Sequence, residues 1–269
     1  GAFYIPLATW ATNSNVILSG SATTPSTASN NVQSFGNFVV NLPSLTGTLS
    51  FWTTSTTAII QGDLVITAAG ATGGSGIFRA LTSGTLTVNG NVIVTQGRLQ
   101  SSSSTGTFNV LGNTTISSNG ILEINGGTYN QRGTTFTNDG TLTAVAGSTR
   151  LAFAPLTSIA QTFAGSGTVL TNIGGLSLSN PAGLTITHTN QITTLRVNLF
   201  QGTITGSNKI TFGTGLALGC ITQIGSTGLT TPGGSFDTAP TFNLGTGTYG
   251  VTYQQESVSR TTGFEIPST

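Results

Sequence analysis

Charge is scarce in this sequence. Asp, Glu, Lys and Arg make up 5% of its 269 residues, against roughly 25% in ordinary soluble domains. Seven cations and six anions leave a net charge of +1, and the cations, Lys209 and six arginines, are scattered. Without a basic cluster, nucleic acid and insertion at an anionic membrane are excluded as partners. Low charge alone would fit disorder, but 36% hydrophobic residues and 14 phenylalanines supply the apolar surface that folding needs. Cys220 is the one cysteine, so no intrachain disulfide can form, and it reads as a small buried hydrophobe. There is no apolar run of about 18 residues to span a membrane. No apolar stripe of helical period has useful length, so no helix is expected. No signal peptide is visible at Gly1-Ala2-Phe3-Tyr4-Ile5; for a secreted chain it would lie upstream or have been removed.

What the sequence does contain is a repeat. A unit of about 22 residues recurs four times over 62–148, opening at Gly62-Asp63-Leu64-Val65-Ile66, Gly84-Thr85-Leu86-Thr87-Val88, Gly106-Thr107-Phe108-Asn109-Val110 and Gly127-Thr128-Tyr129-Asn130-Gln131. A second glycine keeps the same phase at Gly76, Gly97, Gly120 and Gly140, each followed two residues later by Phe78, Leu99, Leu122 or Leu142. Alternation within each segment points Leu86 and Val88 one way and Thr85 and Thr87 the other, as in a strand. A single copy cannot bury its apolar side, but stacked copies can. The expectation is all-β: a parallel β-solenoid (β-helix) with coils of about 22 residues. Leu64, Leu86, Phe108 and Tyr129 should form one inner column, with Ile66, Val88, Val110 and Gln131 beside it.

Outside the repeat, residues 1–58 read as N-terminal strands and an irregular cap. They include strands at 15–18 and 35–42 and a polar loop over 20–31. Trp10 and Trp52 are expected to pad the stack. Residues 59–220 read as the regular solenoid, with alternating pairs such as Leu176/Leu178, Leu195/Val197 and Leu216/Leu218. Residues 221–269 read as a loop excursion over 225–240 followed by C-terminal strands.

Phe35-Gly36-Asn37-Phe38-Val39-Val40-Asn41, Ile60-Gln61-Gly62-Asp63-Leu64 and Val88-Asn89-Gly90-Asn91-Val92 resemble the β-solenoid stretches of very large secreted surface proteins of Bacteroidota. So do Gly165-Ser166-Gly167-Thr168, Leu176-Ser177-Leu178-Ser179-Asn180-Pro181-Ala182-Gly183-Leu184 and Arg260-Thr261-Thr262-Gly263-Phe264-Glu265-Ile266-Pro267. The likeness is one of repeat style rather than of a functional motif. It implies an adhesin-like or matrix protein exported by type IX secretion, displayed at the cell surface, with no catalysis. The sorting domain usual at the C-terminus of such cargo is not evident, so a fragment of a longer chain, or a subunit completed by its neighbours, is expected.

Catalysis is weighed on its residues. Polysaccharide lyases and hydrolases on solenoids need paired carboxylates, or a base beside acidic calcium ligands. The six acids, Asp63, Glu123, Asp139, Asp237, Glu256 and Glu265, are dispersed. His188 stands alone and should face inward, a poor metal ligand. Gly73-Gly74-Ser75-Gly76 lacks the lysine and helix that phosphate binding requires. Neither a catalytic site, a metal nor a cofactor is therefore expected. One outward array remains: Thr85, Thr87, Thr107, Asn109, Thr128 and Asn130 should line one face, where they could meet a glycan or ice. The expected role is structural or adhesive, outside the cell. The partners are neighbouring segments of a longer chain, identical subunits end to end, or glycans. A polysaccharide-binding or polysaccharide-degrading β-helix and an ice-binding solenoid are the alternatives.

Overall fold

The computed structural model describes residues 2–267 except 22, 24–25, 30, 32, 54–55, 71–74, 104, 145–148, 171–173, 214–218, 226–231 and 255–262. The strand pair expected at Leu216/Leu218, the carboxylate of Glu256 and the glycines at 73 and 74 therefore lie outside the described residues. The chain is a parallel β-solenoid. Every strand pairing is parallel, and the described helical structure is a single 3-10 turn, Ser207–Lys209. Short alternating segments punctuated by Gly, Asn and Ser make strands of two to eleven residues, most of them three to six, and stacking gives their apolar sides a common interior.

Each coil passes through three faces. The first carries Asn15–Ser19, Asn37–Leu42, Leu64–Ala69, the opening halves of Val92–Gln100 and Thr114–Ile124, then Thr135–Asn138, Gln161–Ala164, Leu184–Ile186, Thr203–Thr205 and Ser235–Phe236. The second carries Thr48–Trp52, Ile77–Leu81, the closing halves of the same two long strands, Thr141–Ala144 and Thr168–Leu170. The third runs without interruption through nine strands, from Thr56–Ile60 to Tyr249–Tyr253. The winding crosses the boundaries expected at 58 and 220: Phe38 pairs with Leu64, and Leu199 with Ile224. Ser26–Ser29, inside the expected loop, is a strand paired with Ala2–Tyr4.

The inner columns confirm the solenoid and correct one register. On the third face Leu86, Phe108 and Tyr129 stack as expected, with Val88, Val110 and Gln131 beside them. Leu64 and Ile66 do not belong there. The third-face partners of Leu86 and Val88 are Ala58 and Ile60, whereas Leu64 sits on the first face between Phe38 and Val92. The cause is unequal coil length. Along the first face Val16, Phe38, Leu64, Val92, Thr114, Phe136, Phe163 and Ile186 are successive neighbours, spaced 22, 26, 28, 22, 22, 27 and 23 residues. Leu184, Ile204 and Phe236 continue with steps of 20 and 32. A 22-residue period counted back from Gly84 thus lands on the wrong face. The second-face column Leu49, Phe78, Leu99, Leu122, Leu142 and Val169 is in the expected phase.

The core forms one cluster from Ile5 to Phe236. Trp52 is fully buried among Phe35, Phe38 and Phe51, and Trp10 packs on Phe35 at 6.1 Å, so both tryptophans pad the first coils. Gln131 is buried and fully bonded: its amide donates to Gly112 O at 2.8 Å and its carbonyl accepts from Thr114 at 2.6 Å. The same threonine meets the Tyr129 hydroxyl at 2.8 Å. Cys220 is buried and free, with burial pushing its thiol up.

Candidate functional site

The expected outward array exists. Thr85, Thr107 and Thr128 align in one column and Thr87, Asn109 and Asn130 in the next, because the third-face strands pair in phase at 22- and 21-residue spacing. The array is bounded by Thr57 and Ile59 below and by Arg150 and Ala152 above. Its side chains are half-buried, partly by bonding to one another. Asn130 donates to Asn109 at 2.9 Å, Asn109 donates to Thr87 at 3.4 Å, and Arg132 donates to Asn109 at 3.3 Å. The face thus offers an uncharged row of hydroxyls and amides, suited to a polar neutral surface.

A longer polar ladder was not anticipated. At the corner entering the first face, Asn15, Asn37, Asp63, Asn91 and Asn113 stack coil on coil, each coil after the first carrying the residue just after a glycine (Gly36, Gly62, Gly90 and Gly112). Their side-chain oxygens accept the next coil's main-chain N–H: Asp63 N to Asn37 Oδ1 at 2.8 Å, Asn91 N to Asp63 Oδ1 at 2.7 Å, Asn113 N to Asn91 Oδ1 at 2.9 Å and Thr135 N to Asn113 Oδ1 at 2.9 Å. Corner amides outside the sheet ladders need such acceptors. The recurring Gly-Asn/Asp dipeptide was the signal in the sequence. Two residues further on, Ile17, Val39, Val65, Ile93, Thr115 and Thr137 form a parallel outward row of β-branched side chains.

The structure also places the isolated ionisable residues. Glu123 is buried on the second face, in a chain that runs Ser50, Arg79, Gln100, Glu123. Arg79 donates to Ser50 at 3.2 Å and to the Gln100 carbonyl, the Gln100 amide donates to Glu123, and Arg98 pairs with Glu123 at 3.3 Å. Asp139 accepts from Ser166 N at 3.0 Å. Asp237 accepts from Gly206 N, Ser207 N and the hydroxyls of Ser207 and Thr238 at 2.7 to 3.1 Å. Burial pushes that carboxyl up, and these bonds outweigh it, holding Asp237 below the usual carboxylate range. Glu265 accepts from Tyr253 at 3.0 Å and Gly263 N at 2.9 Å.

His188 is fully buried, 5.3 Å from the Phe163 ring, with Nδ1 bonded to Asn190 O at 3.0 Å and Nε2 without a partner. Glu123 and Asp139 do not meet: they engage different coils and faces. Among the described residues no three His, Cys, Asp or Glu side chains gather as metal ligands, and no helix is long and apolar enough to cross a membrane. No family model, curated protein or solved structure matches the chain.

Proposed function

We propose that this chain is a non-catalytic structural and adhesive β-solenoid segment of an extracellular surface protein or fibre. The observation that carries the reading is how the five described carboxylates are engaged. Asp63, Glu123, Asp139 and Asp237 each accept hydrogen bonds from an adjacent coil, and Glu265 fastens the C-terminal segment to the last strand. A general acid or base must face a substrate with free lone pairs, whereas these groups hold coil to coil. The uncharged Thr/Asn face and the row of β-branched residues supply broad contact surfaces of the kind adhesion uses. The sparse charge and the Ser/Thr/Asn-rich exterior fit an extracellular setting.

Two measurements test this. Immunolabelling of intact source cells should decorate the exterior, and antibody against the solenoid should reduce attachment to surfaces. Incubation with a panel of polysaccharides should release neither reducing ends nor unsaturated products. Interior labelling with unchanged attachment, or turnover of any glycan, would overturn the proposal.

A further inference from the structure

Two arginines stand apart from the other described cations. Arg79, Arg98 and Arg132 are bonded to Gln100, Glu123 and Asn109, and Lys209 donates to Thr189 O at 3.0 Å. Among the described residues Arg150 and Arg196 have no side-chain hydrogen-bond or ion-pair partner, the one described salt bridge being Arg98–Glu123. Both line one cavity of about 420 Å³ at the edge of the third face, together with Thr149, Gly174, Gly175, Leu195, Gly219 and Ile221. Among the described residues no carboxylate belongs to this lining. Register explains the arrangement. Leu151 pairs with Leu176 and Leu176 with Val197, which puts Gly175 between Arg150 and Arg196 in one outward column. The two arginine backbones are therefore two strand spacings apart, about 10 Å.

Two glycines of this cavity, Gly175 and Gly219, are unlike those of the corners. At Gly127 and Gly133 a Cβ would meet a backbone oxygen at 1.9 and 2.0 Å, so backbone approach demands glycine there. A Cβ on Gly175 would find nothing nearer than 3.8 Å, and one on Gly219 nothing nearer than 3.7 Å. Neither has a positive φ. Backbone geometry does not require glycine at these two positions; what the missing side chains leave is room.

We infer that this cleft binds the carboxylate of an acidic sugar. A guanidinium matches a carboxylate with two parallel donors, and two arginines without a side-chain partner lie on either side of the Gly175 floor in this lining. The half-buried Leu195 and Ile221 add apolar wall. That wall suits the C–H face of a sugar ring and offers nothing to a free inorganic anion. The volume falls within the range of small-molecule sites. The inference deepens the adhesive reading by naming the chemistry of one ligand.

Calorimetric titration of the full chain at low salt tests it with three probes: an oligogalacturonate, its methyl ester, and inorganic phosphate. The oligogalacturonate should bind, and the ester and phosphate should bind at least about tenfold more weakly. Arg150→Gln and Arg196→Gln should each weaken binding about tenfold or more. Gly175→Leu should abolish it by filling the floor while both charges stay. Circular dichroism should show all three variants folded: Arg150 is half-buried, Arg196 is exposed, and Gly175, though buried, has space for a Cβ. Equal binding of the ester, equal binding of phosphate, an unaffected Gly175→Leu, or no binding of the oligogalacturonate would each overturn the inference. The labelling and attachment experiments do not use this cleft, so its failure would leave them standing and theirs would leave it standing.

Discussion

Asp237 shows what a single charge does in a chain that has few. Its carboxylate ties the first-face turn at Gly206 and Ser207 to the coil that follows. Because its pKa is lowered on folding, it contributes stability at pH values above the unfolded carboxylate value of about 3.9, and that contribution disappears as pH falls through the lower folded value. Asp237→Asn should therefore lower the melting temperature at neutral pH, and the difference from wild type should shrink below about pH 3. A constant difference across that window would contradict this. At the alkaline end the sign reverses in origin. Burial pushes the Tyr249 phenol up to about 12 and the Tyr129 phenol higher still. Groups raised on folding stabilise below the unfolded value of about 10, and that stabilisation is lost as pH rises through the folded values. Spectrophotometric titration should show phenol ionisation and loss of β structure together above about pH 10. In the core, Val88→Asp places a carboxylate in a fully buried column. It should cost at least about 3 kcal/mol, measurable by urea unfolding.

Between residue and rod stands the corner, where the chain turns from one face to the next. Gly127 turns with φ +67° under the carbonyl of Gly106. Gly127→Ala should cost at least about 2 kcal/mol, from the left-handed backbone and from the clash together. Gly175→Ala, with room and an ordinary φ, should change stability by less than about 0.5 kcal/mol. Thermal denaturation of the pair would show whether the contrast holds. The elements differ in how far the sequence announces them. The solenoid, the second-face column and the Thr/Asn face follow from two glycines and an alternating pattern kept in phase. The place of Leu64 does not, because the coil from Leu64 to Val92 carries 28 residues and a local motif cannot reveal the extra length. The Gly-Asn ladder was visible as a recurring dipeptide at unequal spacing, which a search for a fixed period passes over. The arginine cleft had no such signal. Arg150 and Arg196 come into one column only through two coils of different length, and the meaning of Gly175 lies in what surrounds it.

At the scale of the whole molecule, the described strands of each coil pair with those of its neighbours. Residues 92–113 form one 22-residue turn between Val92 and its partner Thr114. Deleting them should leave a shorter solenoid with cooperative melting, since Ile66 would then face Ile116 and Phe78 would face Leu122. Deleting residues 92–102 alone would turn inward faces outward, and the product should not fold; circular dichroism separates the two outcomes. The C-terminal segment lies against the final strand, with Tyr249 donating to Glu265 O at 2.8 Å, while Phe264 and Ile266 remain about half exposed. Unequal coil length, which obscured the register, also leaves a mechanical trace. Tension applied to the two ends of the chain would peel the stack turn by turn, because the described strand pairings join adjacent turns. Each released turn adds contour in proportion to its residues, about 3.5 Å apiece. The 20-residue turn from Leu184 to Ile204 would lengthen the tether by about 70 Å and the 32-residue turn from Ile204 to Phe236 by about 110 Å. In an optical trap the extension record would be a staircase whose step heights read out the sizes of the turns in the order they let go.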